Sequence, residues 1–291
     1  PPLIARALLA RGRIALALSQ GDRGGADFTE STRLALEVGD APLAIEAYAR
    51  AAYAIATTGQ PGLAISGLPL VEAIAVRIGD RATFPRALLH NNVGSVELAR
   101  GDRAAARAAF ERARDEAAGL TGSAGIELTG ARASLLLVVD DAVARTRIGD
   151  ELIGERTRLL GPNHPLTLEA KIFTSGLIMD ARAAYDALAR ACTAMADLHP
   201  GQVGKIAECA NEVMLLAVGL RDDAMLRDMV GRVIATAGHG GDAFYVDRAR
   251  AFAQLLDGDA AGAARAFEAM HTAAGPDGAW WVRLFNVEAN L

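Results

Sequence analysis

The side chains that could carry acid–base, nucleophilic or metal chemistry are few and scattered. The five histidines, His90, His164, His199, His239 and His271, fall in different segments, and no His-Glu-x-x-His pair brings two of them onto one helical face. His164 and His199 each precede a proline, where an imidazole caps or packs on the next helix. Gly201-Gln-Val-Gly204-Lys205 has neither the spacing nor the hydroxyl of a phosphate-cradling loop. Ser123, in Thr121-Gly122-Ser123-Ala124-Gly125, lacks the first glycine and the leading strand of a nucleophile elbow. Adjacent carboxylates such as Asp140-Asp141 diverge on a helix or cap, and read as a solvated turn. The remaining aspartates, Asp22, Asp40, Asp80, Asp102, Asp150 and Asp259, recur at turns, as helix capping requires. Cys192 and Cys209 are too few for a disulfide framework or a zinc site. They lie on either side of Pro200, at similar heights on two neighbouring helices. They read as two buried thiols, with a disulfide between them the alternative. This distribution predicts a non-catalytic segment with no cofactor and no metal.

The elements that position these residues announce themselves by punctuation. One set of turns falls near Gly21, Gly59, Gly101, Asp140, Asp180, Arg221 and Gly258, and a second near Gly39, Gly79, Gly122, Gly161, Pro200, Gly240 and Gly275. Each set recurs every 35 to 43 residues, the self-spacing of stacked supersecondary units. The expected elements are seven helical hairpins at about 3–38, 42–78, 82–118, 124–160, 166–198, 202–237 and 244–272, with a closing segment at 276–291. Gly24-Gly25 makes the second helix of hairpin one irregular, and Pro69 should kink or split the second helix of hairpin two. Leu135-Leu136-Leu137-Val138-Val139 could be a strand, but repeat phase and Ala-rich flanks favour a buried helix. Gly240-Gly241 reads as a flexible joint. The chain is 52% hydrophobic but only 5% aromatic, so its apolar content is mostly Ala and Leu, which suits closely packed helices.

The clearest hairpin spans Ala87 to Ala117. Leu89, Val93, Val96 and Ala99, then Ala106, Phe110, Ala113 and Ala117, each have helical spacing, and Gly101-Asp102 separates the two sets. Gly94, Ala106, Phe110 and Ala113 mark where two helices press close and one ring fills the gap. Val93-Gly94, Gly101-Asp102, Ala106, Phe110 and Ala113 resemble the tetratricopeptide pattern. Gly161-Pro162-Asn163-His164-Pro165-Leu166-Thr167 resembles the connector of the longer, kinesin-light-chain-like variant, and Ala263…Phe267 repeats the Ala106…Phe110 spacing. Hairpin five departs from the family, with Ile172-Phe173 where paired asparagines are wanted. The resemblance implies an all-α, right-handed α-solenoid over the whole chain, its first helices lining a concave groove.

Groove positions carried over from the family are Asn91, Asn92 and Ser95, and the two asparagine amides would hold a bound peptide's backbone. The same offsets indicate Arg11, Glu46, Arg50, Tyr53, Glu127, Ser134, Glu169 and Phe173. Such a mixed-charge groove suits a protein or peptide partner. A net charge of −5 and a pI of about 5.6 argue against a nucleic-acid face. No run of about 18 uncharged apolar residues is present to span a membrane. The Arg-rich Gly-Asp hairpins, the Leu88-Leu89-His90-Asn91-Asn92-Val93-Gly94-Ser95 helix and the connector together resemble the C-terminal repeat regions of bacterial serine/threonine protein kinases. That implies a cytoplasmic, substrate- or regulator-recruiting segment of a longer protein, which the Pro1-Pro2 start also suggests; no kinase motif lies in these residues. Two alternatives remain open: the effector-sensing arm of a transcription regulator, and an oligomerisation scaffold or homodimer built on Trp280-Trp281.

Overall fold

The computed structural model describes residues 2–17, 20–237 and 243–274. The Gly240-Gly241 joint, His239 and the closing segment with Trp280 and Trp281 lie outside them. The chain is all-helical, with sixteen α-helices and no strand among the described residues. It divides into two units, Pro1–Leu159 and Leu160–Leu291.

The first unit holds α1 (Pro2–Ala17), α2 (Gly21–Glu37), α3 (Ala41–Thr57), α4 (Pro61–Ala64), α5 (Leu68–Ile78), α6 (Thr83–Ala99), α7 (Arg103–Ala117), α8 (Gly122–Leu128), α9 (Gly130–Leu135) and α10 (Ala142–Leu160). Helices adjacent in sequence pack as hairpins, α1 on α2 and α6 on α7, while α3 packs on both α2 and α6. The second unit runs α11 (Pro165–Ser175), α12 (Ala181–Leu198), α13 (Val203–Leu220), α14 (Asp223–Ala235), α15 (Ala243–Leu256) and α16 (Ala260–Ala274), each against the next, with α13 also touching α15.

The turns follow one chemistry. Gly101 sits at φ +85°, and the following Asp102 accepts a hydrogen bond from the Ala105 N–H at 2.9 Å. Gly39-Asp40 and Gly258-Asp259 repeat the device, at φ +73° and +85°. The glycine closes the preceding helix in the left-handed region and the aspartate satisfies an orphan donor of the next. Arg221 fills the same place without being glycine, at φ 55°, and Asp222 caps α14.

Packing within hairpins is set by glycine under a ring. A Cβ on Gly94 would lie 2.5 Å from the Phe110 ring, and Phe110 is fully buried. Gly12 and Phe28 make the same pairing in hairpin one, at the same separation along the chain, with 2.6 Å to the ring. Gly24 lies close to the Gly12 carbonyl, so the glycines expected to disrupt α2 instead let α1 and α2 approach.

Other expectations change too. Pro69 does divide its helix, which restarts at Leu68 with the proline in the first turn. The Leu135–Val139 run is neither strand nor continuous helix. α9 ends at Leu135 and the chain turns through Leu136–Val138, with Leu136, Val138 and Val139 buried. Cys192 and Cys209 are joined as a disulfide, with Cα atoms 5.8 Å apart. That replaces the reading of two free thiols: α12 and α13 meet antiparallel across Pro200, at a spacing suited to a bridge. One apolar window within Pro61–Ala99 reaches a mean hydropathy of 1.5, but the backbone there is broken after Ala64 and by a 3-10 turn at Gly79–Ala82.

Candidate functional site

Four first helices of the first unit, α1, α3, α6 and the split α8–α9, bring polar side chains together. Arg50 on α3 has only a tenth of its side chain exposed. It lies 2.8 Å from Glu46, one turn earlier, and 2.7 Å from Glu127 on α8. The other Glu127 oxygen is 3.8 Å from Arg13 on α1. Arg13, Glu127, Arg50 and Glu46 thus form a charge-balanced chain across three helices. A guanidinium between two carboxylates keeps its charge paired although largely removed from water.

Beside this chain lie the α6 amides. Asn92 is buried and donates to the Ala49 carbonyl at 2.9 Å, tying α6 to α3. Asn91 donates to the Asn92 carbonyl oxygen at 3.2 Å and accepts from Ser134 on α9 at 3.4 Å. Ser95 donates to the Asn91 backbone carbonyl at 3.3 Å. Tyr53, one turn beyond Arg50, is 36% exposed. The row therefore contains two kinds of member. Arg50 and Asn92 are buried with short bonds and hold helices together. Asn91, Ser95, Ser134 and Tyr53 are more open, and the bonds among the first three are long and exchangeable.

No family model matches the chain, and no curated protein matches it. The functional reading therefore rests on these residues.

Three sequence-derived groove residues take no part in these contacts. Arg11 makes a bidentate pair with Asp27 of α2, at 2.8 and 2.6 Å. The arginine's hydrogen bonds hold the Asp27 carboxyl below its ordinary range, against the opposing effect of burial. This pair staples hairpin one. Glu169 and Phe173 belong to the second unit, where Glu169 meets Lys205 at 2.9 Å and Phe173 is 45% exposed. Sequence reasoning missed Arg13 and Asp27. Helical spacing gave no signal for either, since it does not say which acid on another helix an arginine will meet.

Three of the histidines have described partners. His164 caps α11 by accepting from the Leu166 N–H, His199 lies 2.6 Å from the Asn163 carbonyl, and His90 contacts Glu116 at 2.8 Å. Among the described residues no group of three or more His, Cys, Asp or Glu is gathered as a metal would need.

The second unit carries a groove of about 560 Å³ along α12, between Arg182, Asp186 and Arg190 on one helix and Asp222 and Met225 at the start of α14. Tyr185 forms its floor. Its hydroxyl donates to Asp222 at 3.0 Å, and burial, reinforced by that carboxylate, pushes the phenol up to about 12. The expectation looked only to first helices, and this groove belongs to second ones.

Proposed function

We propose that the chain is a tetratricopeptide-like interaction scaffold that captures an extended peptide along the first-helix face of its first unit. The hairpins of each unit are read as turns of a right-handed solenoid, the arrangement in which first helices share an inner face. One observation carries the reading: an ion-pair chain, Arg13–Glu127–Arg50–Glu46, joins α1, α8 and α3, and on α6 Asn91 meets Ser134 of α9 while its neighbour Asn92 bonds the Ala49 carbonyl, next to Arg50. An extended peptide presents N–H and C=O groups on alternate sides, and an amide such as Asn91 can donate and accept at once. The bonds of Asn91 to Ser134 and of Ser95 to the Asn91 carbonyl are the ones a peptide would exchange. Tyr53 offers a ring for an apolar side chain. The balanced charge of the row suits a mixed-charge segment better than a phosphate. In a larger protein such a unit would recruit substrates or regulators to a serine/threonine kinase domain outside these residues.

Selection of a random displayed peptide library on the purified chain tests this. Enriched peptides should bind the wild type and lose about tenfold or more in affinity to an Asn91→Ala/Ser134→Ala double variant, since each exchanged hydrogen bond is worth about 1 kcal/mol. Equal binding by the double variant would refute the proposal.

A further inference from the structure

Two cysteines are all the chain has, and the bond between them lies inside the core of the second unit. Cys192 stands within α12 and Cys209 within α13, neither of them in a loop or at a helix end. Cys192 is 0% exposed and Cys209 is 2% exposed. The core around them is apolar and shared: Leu188 of α12, Val213 and Met214 of α13, Met229 of α14 and Phe252 of α15 belong to it. That cover is tertiary, and is complete only once the second unit has closed. The groove along α12 passes Ala189, Thr193 and Ala194, yet neither cysteine lines it. The bond joins the second helix of one hairpin to the first helix of the next, across 17 residues of chain.

Making such a bond takes two exchanges at sulfur. One cysteine thiolate attacks a donor disulfide, displaces one donor thiol and is left in a mixed disulfide. The second cysteine thiolate attacks the cysteine sulfur of that mixed disulfide and displaces the other donor thiol. Two cysteine thiols are oxidised, one donor disulfide is reduced to two thiols, and the cysteine protons end on the thiols released. Reduction runs the same steps backwards. Every step needs a thiolate and room for the donor beside a sulfur. A sealed apolar core supplies neither.

We propose that the Cys192–Cys209 bond is made by a disulfide donor before the second unit closes, and that the closed unit then exchanges with neither reductant nor oxidant. The folded chain so keeps the redox state in which it closed. A reduced chain closes as well, because free cysteines are small apolar side chains that suit the same core. It closes less firmly, having lost the link between two hairpins. Exchange in either direction waits for the second unit to open.

The test follows free thiols in the full chain. Protein refolded from urea with oxidised glutathione is held in dithiothreitol, in native buffer or in urea. It is then desalted and alkylated in urea, and its mass counts the thiols. In native buffer no thiol should appear over hours, and in unfolding urea two should appear at least a hundredfold faster. The converse starts from chain refolded in dithiothreitol and desalted. Its circular dichroism should match that of the bridged chain, and its unfolding equilibrium constant should be larger by about a hundredfold, as expected for a closed loop of this length. Offered oxidised glutathione, it should keep both thiols in native buffer and lose them in urea. Reduction as fast in native buffer as in urea would overturn the proposal. So would oxidation of the folded reduced chain, a reduced chain that fails to regain its helices, or two thiols left after refolding with oxidised glutathione.

Discussion

Asn91 and Asn92 are neighbours of one type on one helix, and the structure gives them different work. Asn92 is buried with its amide on the Ala49 carbonyl, while Asn91 bridges to Ser134 through a long bond. Asn92→Ala should therefore destabilise the first unit by about 1–2 kcal/mol, because it removes a buried hydrogen bond between α6 and α3 and leaves a void where the amide packed. Asn91→Ala should cost a few tenths of a kcal/mol at most, as expected away from buried features. Urea unfolding checks both. The pair could be named from sequence as amides near the groove, but not separated. Helical spacing places adjacent residues about 100° apart without saying which of them meets the neighbouring helix. Arg11 shows the same limit. Its register matched the inner row, yet Asp27 across the hairpin claims it.

At the scale of the helical element, much was legible because the chemistry is local. A glycine at positive φ followed by a capping aspartate marks Gly101-Asp102 in sequence and in structure alike. The Gly94–Phe110 pairing was readable for the same reason, since a ring needs a missing side chain opposite it. Gly12–Phe28 repeats it at the same separation and passed unnoticed, because Gly24-Gly25 nearby suggested irregularity. Gly94→Ala should destabilise by about 1–3 kcal/mol through overpacking against an enclosed ring, less the roughly 1 kcal/mol that alanine recovers in helix propensity. The midpoint of urea unfolding should fall with the slope unchanged. What stayed illegible was tertiary. Five apolar residues at Leu135–Val139 say that the segment is inside, and nothing about whether a buried turn or a helix fills the space. The cysteines were placed correctly on adjoining helices, but bonding depends on a Cα separation that sequence does not contain.

For the whole molecule, the period of about forty residues foretold hairpins in succession, and each unit shows them packed in chain order. It did not foretell that the chain divides near Leu159, so candidate residues fall into two groups, with Glu169 and Phe173 apart from the rest. The central claim is that laying two-helix elements side by side creates an inner face that holds another chain. Its most direct test is site-specific photo-cross-linking with a library-selected peptide, the photoreactive group attached through a cysteine at Ser95 on α6 or at Leu70 on α5, which is 65% exposed. Capture at Ser95 and none at Leu70 is the predicted result, and capture at Leu70 with Ser95 silent would contradict it.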